Sequence, residues 1–270
     1  MENELAGSVA FVTGSGRGLG RAIAERLAKL GADIVVHDID KAAPAEFGEA
    51  EDLGSVAREI REAYGVRVHA VTGNVADEAA VRAMTEEAEA ALGPAGILVN
   101  CAGGDIAAHG GKPQPNNALG ISLEDTRSLL DRNLVGTILV CQALCPGMAR
   151  RRRGSVVNIA SVAAHTGALP NGVVYAVAKA GVVEWTRCLA HELRTHGVRV
   201  NAVSPGPTAT ARFLATRPVE PAMMEERVSL VRYGAPEEIA EAVAFLAGNG
   251  ARFVSGQVLR VDGAMQLFPA

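Results

Sequence analysis

Residues 8–30 read SVAFVTGSGRGLGRAIAERLAKL, and three patterns follow one another within them. Residues 8–13 form a short, almost unbroken apolar run of the kind that fills a buried strand. Residues 17–30 repeat apolar positions at helical spacing, with Leu19, Ile23, Leu27 and Leu30 on one face. Between them lies Thr13-Gly-Ser-Gly-Arg-Gly-Leu-Gly20. Glycines let the chain turn sharply and bring its backbone against a ligand with no Cβ in the way. The helix that follows offers free N–H groups and the positive end of its dipole, so the stretch is built to receive a phosphate. A glycine-rich string alone is a weak signal. A strand before it and a helix after it make it a specific one.

The alternation continues to the end of the chain. Residues 32–37, 67–72, 96–101, 155–160, 198–203 and 257–261 read as further strands, and 53–64, 77–92, 123–150, 174–196 and 236–247 as helices. Apolar strands separated by helices predict an α/β fold: a doubly wound parallel sheet with helices on both faces and a ligand site beyond the C-terminal strand ends. No internal repeat or low-complexity linker divides the chain, so residues 1–270 are expected to form one domain. Two irregular stretches, 103–121 and 205–222, each follow a strand and therefore belong to the rim of that site.

Bulk properties exclude several classes. The net charge of −4 carries no basic excess to neutralise nucleic-acid phosphates. The one basic run, Arg150 to Arg153, reads as a solvated helix end. Cys101, Cys141, Cys145 and Cys188 are too scattered for a disulfide framework or a metal set, which fits reduced thiols in the cytoplasm. An acidic N-terminus without a signal-peptide pattern, and no uncharged apolar run near the roughly 20 residues of a membrane span, predict a soluble protein. His37, His69, His165, His191 and His196 read as packing or surface residues, His109 sits in the first irregular stretch, and no metal motif emerges.

Two features carry chemistry. Asp38 closes the second strand, where a carboxylate can accept from ribose hydroxyls and repel an additional phosphate; as an isolated residue it would be a solvated turn. Tyr175-Ala-Val-Ala-Lys179 places a phenol and an ammonium four residues apart, on one helical face. A nearby cation favours phenolate and lowers a pKa that is otherwise about 10. Such a phenol can take a proton from an alcohol as a hydride leaves, or return it to a ketone. Taken alone, the pattern is common on helix surfaces.

These stretches together resemble the short-chain dehydrogenase/reductase family, over nearly the whole chain from Thr13 to Gly263. Gly14, Gly18 and Gly20 fall on its TGxxxGxG spacing, and Tyr175 and Lys179 on its YxxxK motif. Asn100-Cys-Ala-Gly103 is similar to its NAG motif, with Cys101 in place of the second Asn. Asn158-Ile-Ala-Ser161 precedes Tyr175 at a fitting interval, and Asn133 stands at the family's helix asparagine. The resemblance implies a Rossmann-like sheet and catalytic roles for Asn133, Ser161, Tyr175 and Lys179. Ser161 would polarise the substrate oxygen, though by itself it reads equally as a cap or turn residue. Lys179 would also bond the nicotinamide ribose, and Asn133 would hold a proton-relay water near it. The implied cofactor contacts are Gly14, Arg17, Gly18, Leu19, Gly20, Asp38, Asn74, Val75, Asn100, Ala102, Gly103, Tyr175, Lys179, Pro205, Thr208 and Thr210. Arg17 is a residue type that NADP-using relatives carry in this turn, but Asp38, followed by Ile39 rather than Arg, points to NAD. Relatives pair the helices carrying Asn133 and Tyr175, which implies a homo-oligomer, a dimer or tetramer. Val182 and Trp185 would pack the core or that contact.

The substrate is expected to be small. Asp105, His109, Lys112, Gln114, Asn116 and Asn117 make the first irregular stretch polar, and the second adds Arg212 and Arg217. Converging on a pocket, they would suit a sugar, sugar acid or polyol, with Lys112, Arg212 or His109 pairing a carboxylate. The alternative is an apolar cyclic or acyl alcohol or ketone, the polar loop being only a lid that faces water. A protein that senses the cofactor without catalysis is a third reading. It has no need of Asn133, Ser161, Tyr175 and Lys179 together.

Overall fold

Short runs rich in Val, Ile and Ala become strands because branched side chains pack well on a pleated surface. In the computed structural model, which describes residues 3–166, 172–224 and 229–267, they form β1 (Val9–Thr13), β2 (Asp33–Asp38), β3 (Val68–Thr72), β4 (Ile97–Asn100), β5 (Gly154–Ile159), β6 (Val198–Pro205) and β7 (Val258–Val261). All seven pair in parallel, in the order β3-β2-β1-β4-β5-β6-β7. The chain winds outward from β1 to β3, then crosses to β4 and winds the other way. The crevice where that order reverses lies between β1 and β4, where Thr13 is in register with Asn100.

Each strand is apolar throughout because both faces of the sheet are covered. Ala10, Val12, Ile34, Val36 and Val99 pack with Ile23 and Leu27 of α1 (Gly18–Lys29), Val56 and Ile60 of α2 (Leu53–Tyr64), and Val243 and Leu246 of α8 (Pro236–Ala247). Phe11, Val35, Leu98 and Val156 point the other way. They meet Met84 of α3 (Glu78–Leu92), Val140 and Met148 of α5 (Gly136–Arg151) and Leu189 of α6 (Val173–Leu193). The period of two in the strands and of 3.6 in the helices thus close two cores around one sheet.

Several helix starts follow capping chemistry. Asp52 accepts from the Ser55 amide at 2.7 Å to begin α2, and Asp77 from the Ala80 amide at 3.0 Å to begin α3. α1 begins at Arg17, whose side chain makes no capping bond, so its first amides are left to face the crevice.

Two expectations change. Residues 123–150 were expected to be one helix; they run as α4 (Leu123–Leu130), a π turn at Asp131–Val135, and α5. The wider turn carries Asn133 inward, fully buried, where its amide bonds Leu129 O at 2.9 Å and the backbone of Gly104. The continuous helical stretch Leu123–Arg151 is long and apolar enough to cross a membrane. Val140, Cys141, Cys145 and Met148 nevertheless lie in the protein core. Residues 205–222 are not all irregular: β6 continues to Pro205, and α7 (Ala211–Thr216) follows, capped by Thr210 on the Phe213 amide.

A buried polar chain ties the sheet to α6. Asn100 Nδ2 donates to Asn158 Oδ1 at 2.8 Å, Asn158 Nδ2 to Thr186 Oγ1 at 2.9 Å, and Thr186 Oγ1 to Val182 O at 2.8 Å. Asn158→Ala strands the Asn100 donor and one Thr186 acceptor position in the interior. Urea unfolding of this variant is expected to show a loss of about 2–3 kcal/mol, and a loss under about 0.5 kcal/mol would contradict the role given to this chain.

Candidate active site

Glycine geometry shapes the crevice. Gly14 has φ of +66°, and a Cβ on it would stand 2.8 Å from the Ala102 Cα; a Cβ on Gly20 would overlap the Gly14 carbonyl. Thr13 Oγ1 accepts from the Cys101 and Ala102 amides at 3.0 and 3.1 Å, which fixes the exit of β4 against the turn. The cleft so formed has a volume of about 330 Å³. Its walls include Gly14, Arg17, Gly18, Leu19, Gly20, Asp38, Asn74, Val75, Ala102, Gly103 and Thr210 from the expected cofactor set.

Asn100, Pro205 and Thr208 depart from that expectation. Asn100 is buried, its amide committed to Asn158 and to Cys141 Sγ at 3.3 Å, so it braces the sheet and does not reach the cleft. Pro205 is buried at the end of β6. The Thr208 hydroxyl turns back on Gly206 O at 3.0 Å.

Residues that the sequence did not single out complete the walls. His37 accepts from the Gly14 amide on Nδ1 at 3.1 Å and donates from Nε2 to Gly73 O at 2.9 Å, so one neutral ring brackets the turn and the end of β3. Burial pushes its pKa down to about 4. Gly16, Ile106, Arg132, Glu46 and Glu49 also border the site. Gly16 leaves room for Asp38, whose Oδ2 lies 2.7 Å from where a Cβ would be. Burial raises the Asp38 carboxyl, while the Ile39 amide and Arg17 draw it down. No local period marks His37 or Glu49, because their partners lie 20 to 40 residues away in sequence.

Tyr175 and Lys179 are not among these walls; α6 and the exit of β5 lie beyond Gly103, against which Lys179 stands. Lys179 is 4% exposed and donates from Nζ to Ile159 O at 2.7 Å. Burial lowers its pKa to about 8. The ammonium also lies 5.8 Å from the Tyr175 ring centre and stands beside Gly103. Helical spacing therefore brings phenol and amine to one face, as expected. Burial raises the Tyr175 pKa, and the groups that draw it down are the Ser161 hydroxyl, bonded to it, and Arg212 and Arg217. The longer lysine chain reaches past the ring to β5.

Asn133 is likewise close by but differently employed. Its Oδ1 accepts from Gly104 N at 2.8 Å and its Nδ2 donates to Gly104 O at 3.0 Å. The side-chain amide thus pins the loop after β4. His165 meets Ser204 Oγ at 2.9 Å, and that hydroxyl donates to Ser161 O at 3.3 Å.

The polar loop residues separate into two groups. Asp105 accepts from Asn116 Nδ2 at 3.2 and 3.3 Å, with Lys112 Nζ at 3.9 Å, and its charge acts on Tyr175. Arg212 lies across Gly103 and Gly104, its guanidinium largely desolvated, and Arg217 stacks on Phe213 at 5.2 Å. By contrast, His109 pairs with Glu124 at the surface, Asn117 caps the Leu119 and Gly120 amides, and Gln114 is exposed. Among the described residues no group of three or more His, Cys, Asp or Glu side chains is placed to hold a metal.

Residues 14–266 match the family model described as Enoyl-(Acyl carrier protein) reductase. The chain belongs to the short-chain dehydrogenase/reductase family. As such it is an oxidoreductase with a site for a nicotinamide cofactor. It is 37% identical to a 3-oxoacyl-(acyl-carrier-protein) reductase of Aquifex aeolicus, covering 98% of this chain and all of that one. It is 35% identical to a cyclohexanol dehydrogenase of Rhodococcus, covering 97% of each. A Brucella melitensis 3-oxoacyl-(acyl-carrier protein) reductase with bound NAD superposes with a TM-score of 0.82 at 26% identity, over 99% of this chain and 94% of that one. An Agrobacterium tumefaciens protein assigned as a gluconate dehydrogenase gives 0.81 at 28% identity, over 98% of each.

The residues present in this short-chain dehydrogenase/reductase fit such a cofactor. The Gly18 amide already holds an anion, the Glu49 carboxylate at 2.7 Å, so it is oriented for a phosphate, and Asp38 stands on the wall where a ribose would lie. His37 makes the turn sensitive to acid. Its folded pKa, about 4, is below the value near 6.5 of an unfolded imidazole. Between these values the unfolded chain binds a proton that the folded one refuses, so the stabilisation is complete above about pH 6.5 and is lost as pH falls toward 4. His37→Gln is expected to lose less stability than wild type between about pH 7 and pH 4, the difference being roughly 3 kcal/mol in denaturant titrations. Identical pH dependence in the two proteins would refute the assignment.

Proposed function

We propose that this protein is an NAD-dependent dehydrogenase that transfers a hydride between a secondary alcohol or ketone and the nicotinamide. The observation that carries this reading is the Tyr175 phenol, bonded by Ser161, on the same helical face as the Lys179 ammonium that lies beside Gly103 of the cleft. The bound nicotinamide supplies the hydride acceptor or donor. Tyr175 takes the alcohol proton in oxidation and returns it in reduction, and Ser161 orients the substrate oxygen by hydrogen bonding. Lys179, 4% exposed and held by Ile159 O, fixes the cofactor end of the site. Asn133 acts as a positioning residue through Gly104. The choice of NAD rests on Asp38, whose charge repels a phosphate on the adjoining ribose.

Substrate preference follows from the groups around the phenol. Asp105, Arg212 and Arg217 each act electrostatically on Tyr175, so their charges converge on the reacting position. A carboxylate suits the guanidinium of Arg212, and hydroxyls suit Asp105 and Asn116. A sugar acid, sugar or polyol is therefore the preferred substrate class, and the similarity to the Agrobacterium protein supports it. The Rhodococcus relative favours a second reading, an apolar cyclic alcohol or an acyl ketone, with Ile106 contributing apolar wall. The reading places the enzyme in the cytoplasm as a dimer or tetramer acting on a small molecule, without nucleic-acid or membrane partners. Free cysteines and the exposed Val177 on α6 are consistent with it.

Tyr175→Phe is expected to lower kcat by about 10²–10⁴-fold while NADH affinity, read by nucleotide fluorescence, stays within about twofold of wild type. NAD-linked oxidation should be found among sugar acids and polyols. Turnover of cyclic alcohols alone would favour the second reading. Wild type that binds NADH yet turns over neither class, nor any ketone in reverse, would leave a cofactor sensor instead.

A further inference from the structure

The connection between β2 and α2 lays two carboxylates on the phosphate-binding turn. A short 3-10 turn, Ala43–Phe47, and the bend at Gly48 bring Glu46 and Glu49 back over the start of α1. Glu49 Oε2 accepts from the Gly18 amide at 2.7 Å, and its backbone carbonyl accepts from Arg21 Nη1 at 3.0 Å. Its other carboxylate oxygen is buried without a hydrogen-bond partner. Glu46 pairs with Arg17 Nη2 at 2.8 Å, and the Arg17 guanidinium lies 4.6 Å over the Phe47 ring. Arg17 Nη1 is buried and unpartnered.

Gly18 is the first residue of α1, and its amide has no partner within the helix. A diphosphate needs that same donor. Two anions cannot share one N–H, and in a partly desolvated cleft their repulsion is weakly screened. The Arg17 side chain, whose charge acts on Asp38, is the cation at the ribose end of the cleft. Paired with Glu46 and seated on Phe47, it is turned away from a phosphate placed there.

We propose that Glu46 and Glu49 tune coenzyme binding: Glu49 competes with the diphosphate for the Gly18 amide and so sets the affinity for either dinucleotide, and Glu46 withholds Arg17 from a ribose phosphate and so determines specificity. This rests on the reading that the turn binds a dinucleotide. It goes beyond Asp38 because it shares the discrimination between Asp38 and Glu46 and gives Glu49 a separate hold on affinity. It also explains why an arginine in the turn is compatible with NAD.

The test is a set of dissociation constants for NADH, NADPH and adenosine, measured by calorimetry on wild type, Glu49→Gln, Glu46→Gln and Glu51→Gln. The glutamine at position 49 keeps an oxygen for the Gly18 amide and removes only the charge. Glu51, exposed on the same segment, controls for the general field. Glu49→Gln is expected to bind both dinucleotides about fivefold more tightly with adenosine unchanged. Glu46→Gln should tighten NADPH by a similar factor and leave NADH within about twofold. Variants that match wild type, or a Glu51→Gln that reproduces their effect, would overturn the inference while leaving the dehydrogenase reading intact. Failure of wild type to bind either dinucleotide would overturn both.

Discussion

No side chain fits between the first turn of α1 and the strand ends beneath it, and the site depends on that constraint. Gly14 lies against the backbone of Ala102, and Gly20 against the carbonyl of Gly14. With the backbone this close, α1 starts directly over the crevice between β1 and β4 without a side-chain cap. Thr13 and His37 then lock the turn to the exits of β4 and β3. The helix dipole and the first-turn amides, that of Gly18 held by Glu49, are delivered to one place, and whatever binds there inherits its orientation from backbone packing.

The catalytic end is governed by burial. Lys179 and Arg212 are both drawn out of water, which lowers their pKa values, and the same desolvation raises that of Tyr175. The phenol is therefore set between opposing influences: burial and Asp105 against Ser161, Arg212 and Arg217. Two consequences follow. On the proposed reading, the loop charges that meet the substrate also act on the Tyr175 phenol, so the two properties are coupled. Lys179, at about 8 and bonded to Ile159 O, contributes first as a fixed strut between β5, α6 and Gly103.

Much of this was legible in the residues alone. Strands were plain because a sheet covered on both sides needs unbroken apolar runs, and every predicted strand is found within two residues of its observed ends. The glycine turn and the pair Tyr175 and Lys179 were readable because spacing fixes direction on a strand or helix. What escaped depends on contacts remote in sequence. The π turn is pinned by Asn133 reaching Gly104, 29 residues away, and no local pattern announces it. α7 has six residues, too few to establish a period. Asn100 carries a motif position yet braces Asn158, since burial decides what an amide can meet. The spacing of Tyr175 and Lys179 established their common face but not the target of the ammonium, which β5 supplies.

Backbone approach at Gly14 and acid/base chemistry at Tyr175 are parts of one site only if the turn receives the dinucleotide. The most direct check is an NADH titration, followed by nucleotide fluorescence, of wild type and Gly14→Val, with circular dichroism confirming that both are folded. The account predicts saturable binding by wild type and a loss of at least about tenfold in affinity in the folded variant. A folded Gly14→Val protein that binds NADH as well as wild type would contradict it.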